Sequence, residues 1–266
     1  MDEVKNISHR RMFISGKYHM AKGSENKPMN KYLDPLGAAC LDFMLGDKSA
    51  QITVQSNIVE DDVLPVEYLF RSFKDMPDLE RKALTISTGK ILDVGAGAGS
   101  HALYLQQSNK EVYANEISPA ACDVMRKRGV KNILEQDFYL LPEDDKYDTI
   151  LMLMNGIGIA GDTSNLEKFF DKVKRLLNPG GSLIVDSSDI RYLFEDDDGS
   201  ILINLNDDYY GEISYRMIYK DIKGASFKWL FIDDELLKFY AEKSGLKMEK
   251  VAEGLHYDYL AKLTVK

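Results

Sequence analysis

The chain has 266 residues, 44% of them hydrophobic, and carries a formal charge of −9 from 43 acidic and 34 basic side chains. That length suits one large domain, or a core domain with an appendage, and the apolar fraction is enough for a substantial core. The acidic balance argues against a long nucleic-acid footprint, no stretch reaches the ~20 apolar residues of a membrane span, and no apolar run of signal-peptide length opens the chain, so a cytoplasmic protein without membrane or nucleic-acid partners is expected.

Residues 1 to about 30 are polar, with Gly23, Ser24, Asn26, Lys27 and Pro28, and read as a mobile leader. Leu33, Leu36, Cys40, Leu41, Phe43 and Met44 predict an amphipathic helix broken near Gly37, and the alternation of residues 51–55 predicts a short strand. Helices are expected from Pro65 to Phe73 and from Pro77 to about Ile86, each opening at a proline. Residues 1–87 therefore read as a leader and helical cap, ahead of a domain over 88–266 with an insertion at about 190–232. Cys40 and Cys122 lack Cys-x-x-Cys spacing and fall in helix-like segments, as reduced, buried side chains.

The apolar run Ile91–Val94 reads as a fully buried strand, and it breaks into glycines at 95, 97 and 99 before a helix that begins near His101. A strand, a glycine turn and a helix open a doubly wound sheet, whose ligands sit outside the carboxyl ends of its strands. Further strands are expected at 111–115, 132–134, 148–154 and 182–186. Ser118-Pro119 reads as the start of a helix that ends at Gly129, and Ser164-x-x-Glu167 as a capping box ahead of the stripe Leu166, Phe169, Phe170, Val173. A hairpin, 213–219 with 227–232, then a helix over 234–244 and two closing strands complete an α/β fold. Its sheet is expected to be seven-stranded and mostly parallel, with an antiparallel last strand.

Asp93-Val-Gly-Ala-Gly-Ala-Gly99, acidic Glu116 after the second strand, Asp137 after the third, the apolar fourth strand and Pro-Gly-Gly before the fifth stand in one order. That order resembles class I S-adenosylmethionine (SAM) dependent methyltransferases, over roughly residues 88 to 189 plus the closing hairpin. The segments ending at Arg71, Gly158 and Asp189 resemble a bacterial subgroup of unassigned substrate. The resemblance implies a Rossmann-like fold and SAM as cofactor, with Asp93, Gly95, Gly97 and Gly99 at its methionine end, Glu116 at the ribose and Asp137 at the adenine; Ile117, next to Glu116, is counted with the cofactor-binding residues. Read from their positions, Phe138 or a neighbour covers the adenine face, while Asn155 and Gly156 offer polar atoms and a close backbone. Amino methyltransferases often carry Asn/Asp-Pro-Pro-Tyr/Phe after the fourth strand. Here Asn155-Gly-Ile-Gly stands instead, which weighs against methylation of adenine or glutamine nitrogen.

Methyl transfer from a sulfonium asks a protein mainly to align and desolvate the nucleophile. If a base is needed, His101, Asp186 and Asp189 are candidates; Tyr68 and Arg71 of the cap are placed to reach over the cofactor, as substrate residues, and Arg71 to pair with a substrate or methionine carboxylate. His101 reads equally as a packing or capping residue, and His256 as structural. Glu195-Asp-Asp-Asp, with Asp207 and Asp208, lacks the ordered spacing of a calcium loop and reads as a solvated turn, so no metal is expected. The aromatic hairpin, Tyr215 to Phe231, reads as packing or as one wall of a substrate pocket. A small-molecule acceptor is the favoured reading. Methylation of RNA or protein, a nicotinamide-binding protein and a non-catalytic SAM binder are the alternatives.

Overall fold

The structure is a computed structural model that describes residues 34–196, 198–201 and 208–265. The expected leader, Asp197 and Asp207 lie outside the described residues. Seven strands form the central sheet: β3 (Lys90–Val94), β4 (Glu111–Glu116), β5 (Ile133–Glu135), β6 (Tyr147–Met152), β7 (Leu177–Ser188), β11 (Leu246–Glu253) and β12 (Asp258–Val265). Their order is β11-β12-β7-β6-β3-β4-β5; β5, β4, β3, β6 and β7 run parallel, and β12 pairs antiparallel with both β7 and β11. The apolar runs are continuous because both faces are covered. On β3, Ile91 joins one core cluster with Ala83, Leu84 and Leu105, while the next residue, Leu92, joins the other with Phe169, Phe170 and Leu237. Helices α2 (Asp78–Ile86) and α3 (Ser100–Gln107) supply the first cluster, and α5 (Leu166–Leu176) and α6 (Asp234–Lys243) the second.

A second, antiparallel sheet joins two segments far apart in sequence. β1 (Gln51–Ser56) pairs with β2 (Asp62–Pro65) on one side and with β8 (Glu212–Tyr219) on the other; β8 also pairs with β9 (Ile222–Lys223) and β10 (Phe227–Leu230). The cap and the inserted hairpin are thus one body. The aromatic side chains of the hairpin are core: Tyr215, Tyr219, Phe227, Trp229 and Phe231 are all buried.

Several local expectations are corrected. The helix expected from Pro65 to Phe73 is two short 3-10 turns, Val66–Phe70 and Phe73–Asp75, because Pro65 still pairs with Gln51 in the ladder and Arg71 and Ser72 are extended. The first helix, α1 (Pro35–Leu45), is not broken at Gly37. Its amide donates to Asp34 Oδ1 at 2.9 Å, and a Cβ there would stand 2.6 Å from Ala120 Cβ, so Gly37 is where α1 meets α4 (Pro119–Arg128). The capping box does not form: α5 begins at Leu166 and Ser164 Oγ donates to Asp162 Oδ1 at 2.6 Å. Ser118 does cap α4, accepting from the Ala121 amide at 2.9 Å, and Gly129 closes it in a left-handed conformation. Among the described residues no helix is long and apolar enough to cross a membrane.

Candidate functional site

The carboxyl edge of β3 opens into a crevice of about 360 Å³, counted to its open mouth. Asp93 to Ala98, Ser100 and His101 form its floor, Leu153 and Met154 one side, and Leu69 and Arg71 of the cap its roof. The floor is bare backbone in left-handed conformations: Gly95, Gly97 and Gly99 have φ of 78°, 55° and 84°. Two of these glycines serve different ends. A Cβ on Gly99 would strike Met125 Cγ at 2.8 Å, so that glycine lets α3 pack on α4. A Cβ on Gly97 would meet nothing closer than the Gly95 carbonyl oxygen at 4.0 Å, so its missing side chain leaves the crevice open.

Glu116 lies fully buried at the end of β4 and reaches back to this loop. Its Oε2 accepts from the Gly97 amide at 2.9 Å, and its Oε1 from the Ile117 and Ser118 amides at 2.8 and 3.0 Å. The two motif residues, 19 apart in sequence, are thus in direct contact. Asp137 is half-buried, and its carboxylate accepts from the Tyr139 amide at 2.8 Å, capping the turn Phe138–Leu140. The Phe138 ring, by contrast, is a core side chain packed against Phe169 with centroids 5.9 Å apart, and does not line the crevice.

The loop after β6 is shaped by packing. Met154 and Asn155 both stand at positive φ, 64° and 55°. The Asn155 side chain is spent within the protein: Nδ2 donates to the Leu230 carbonyl at 3.0 Å and Oδ1 accepts from Ser187 Oγ at 3.1 Å. Gly158 is bare because a Cβ would lie 2.0 Å from Trp229 Nε1. Asp186, near the end of β7, pins this loop by accepting from the Met154 and Gly156 amides, each at 3.1 Å. Burial pushes its carboxyl up to about 7, with the nearby Glu80 charge adding to the shift and the two amides and His101 opposing it.

Asp189 stands apart from the crevice lining. Its carboxylate binds the Arg191 amide, the Arg191 side chain and the Tyr210 hydroxyl, an arrangement that holds the 3-10 turn after β7. Tyr68 presents its ring to the Arg71 guanidinium, 3.9 Å away, and its carbonyl accepts from Arg71 Nη1. Glu80, which carries no motif, was missed by sequence reasoning. It lies in the first turn of α2 with its carboxylate between Arg71 and His101, whose Nε2 is 2.7 Å from Glu80 Oε2. His256 sits at the β11–β12 turn, its amide donating to Asp258 Oδ1 at 3.0 Å. No group of acidic, His or Cys side chains suited to a metal ion occurs among the described residues.

A sequence model described as a methyltransferase domain matches residues 91–181. Demethylmenaquinone methyltransferases of two Tropheryma whipplei strains are 33% identical over 110 residues, 39% of this chain and 44% of theirs, so the chain matches less than half the length of these curated relatives. A SAM-dependent methyltransferase from Bacteroides fragilis, crystallised with S-adenosyl-L-homocysteine, is 51% identical, with a TM-score of 0.84, over 90% of this chain and 98% of that one. The CcbJ methyltransferase of Streptomyces caelestis, 15% identical over 74% of this chain and 99% of that one, shares the fold with a TM-score of 0.57.

Proposed function

The chain belongs to the SAM-dependent methyltransferases, and from that premise we propose that it methylates a small molecule held between its glycine loop and its cap. SAM is the cofactor of the family, and when bound it supplies a methyl group already joined to a good leaving group. The residues present fit it on one observation above all: at Gly97 any Cβ would intrude into the open crevice.

In this reading the backbone of Gly95, Gly97 and Gly99, with Asp93, holds the methionine end. Glu116 and Ile117 are assigned to the ribose, and the Glu116–Gly97 hydrogen bond keeps carboxylate and loop in register. Asp137 stays the adenine residue. Phe138 and the Asn155 side chain drop out of the set, because core packing and the Leu230 and Ser187 bonds use them. Gly156 contributes backbone alone, with its amide turned to Asp186. Asp189 drops out as a base, since Arg191 and Tyr210 hold it; Asp186, pushed to about 7, is the carboxyl suited to exchange a proton at neutral pH.

What supports a small acceptor is the roof. Leu69 and Arg71 line the crevice together with the glycine loop, and Ser100 Oγ donates to the Leu69 carbonyl at 2.7 Å, fastening roof to floor. An enclosed site excludes water and aligns a small nucleophile, whereas a macromolecular acceptor calls for an open groove. The test is transfer of tritiated methyl from SAM into fractionated extract of the source cell. Label is expected in the small-molecule fraction; label confined to protein or RNA would reverse the reading.

A further inference from the structure

A cluster of charged side chains stands in the crevice wall. Arg71 comes from the extended segment of the cap, Glu80 from α2 and His101 from the first turn of α3, and each is at most 9% exposed. Arg71 Nη2 and His101 Nε2 meet at the same oxygen, Glu80 Oε2. Burial alone would raise the Glu80 carboxyl, but the His101 hydrogen bond and the Arg71 charge outweigh it and hold the group below the usual carboxylate range. Glu80 is therefore ionised, and it fixes one edge of the guanidinium.

A buried ion pair of this kind is in itself only weak evidence of anything beyond structure. Two further observations point to a ligand. Arg71 lines the crevice, and its Nε, though buried, donates to nothing among the described residues. The glycine loop also leads into the amino end of α3, whose first turn carries His101 of this cluster, and the amino end of a helix favours an anion. Of the other charged groups, Asp93 is on the floor, Glu116 behind it and Asp186 beyond Met154, while Arg128 is outside the lining and donates to the Ala98 carbonyl at 2.6 Å and to Ser100 Oγ at 3.3 Å. Arg71 is thus the cation of the crevice lining, and the cofactor has a single anionic group, the carboxylate of its methionine tail.

We infer that Arg71 is the receptor for that carboxylate and that Glu80 is the residue that positions it, with His101 securing Glu80. The inference rests on the SAM reading of the site. Because Arg71 belongs to the cap, holding the tail also fastens the cap over the glycine loop, so ligands that lack the tail lose this contact and keep the adenosine ones. Arginine suits the task because its planar fork gives one edge to Glu80 and leaves Nε for the ligand, which lysine cannot do.

The test is calorimetric binding of S-adenosylhomocysteine, which has the amino-acid tail, and 5′-methylthioadenosine, which lacks it. For Arg71→Met, S-adenosylhomocysteine is expected to bind roughly 10- to 100-fold more weakly, and methylthioadenosine to within about 2-fold of wild type. Arg71→Lys restores little of the loss, and Glu80→Gln weakens the homocysteine compound in the same direction. Should Arg71→Met fail to fold, by far-ultraviolet circular dichroism, the Lys and Gln variants decide. Unchanged homocysteine affinity in these variants, or equal loss for both ligands, overturns the inference while leaving the function standing. Wild-type protein that binds neither ligand overturns both.

Discussion

Glu116, at the end of β4, and Asp186, near the end of β7, are both carboxylates whose oxygens accept backbone amides. Glu116 receives three amides and holds the glycine loop. Asp186 receives two, and burial dominates, pushing it to about 7. Its folded pKa stands above the unfolded value of about 4, so its contribution to stability is full below about pH 4 and is lost as the pH rises towards about 7. Thermal melts of wild type against Asp186→Asn across that window are expected to show wild type losing ground as the pH rises. A flat difference would remove Asp186 from any role that needs a proton at neutral pH. At this scale the local features are legible in the sequence and the non-local ones are not. Gly97 was legible because a positive φ is written in one residue, and Glu116 because an acidic residue stands where the second strand ends. Glu80 was not, because an acidic residue in a first helical turn has an ordinary reason to be there, and only folding brings His101, 21 residues on, against it.

Elements show the same division. The Ser118 cap formed as read, since its partner lies three residues away. The Ser164 capping box did not, because a 3-10 turn over Thr163–Asn165 takes in Ser164 and moves the helix start to Leu166. The loop after β6 was read as a place where glycines let a ligand approach; in the fold Gly158 instead receives the Trp229 indole. Gly158→Ala, which sets a Cβ 2.0 Å from Trp229 Nε1, is expected to cost roughly 1–3 kcal/mol by overpacking and to lower Tm by several degrees. A variant that melts with the wild type, its tryptophan emission unchanged, would show that the indole does not depend on that gap.

Across the whole molecule, one sheet sits across a crevice from a cap that is itself fastened to the sheet's inserted hairpin. Cofactor binding at the junction stabilises the folded state by mass action. S-adenosylhomocysteine at 100 times its Kd is expected to add about 2.7 kcal/mol and raise Tm by roughly 5–10 °C, while NADH leaves it unmoved. A shift with NADH alone would mean a nicotinamide protein. The sequence by itself determined the central sheet, the glycine loop and the carboxylate beside it. Buried parallel strands are continuous apolar runs, and tight turns need particular residues at particular places. Tertiary structure alone decided that β1 would pair with β8, that Phe138 would turn into the core and that Arg71, Glu80 and His101 would meet. Each of those depends on a partner distant along the chain, and which partner a buried polar or aromatic group finds is settled by packing rather than by its neighbours in sequence.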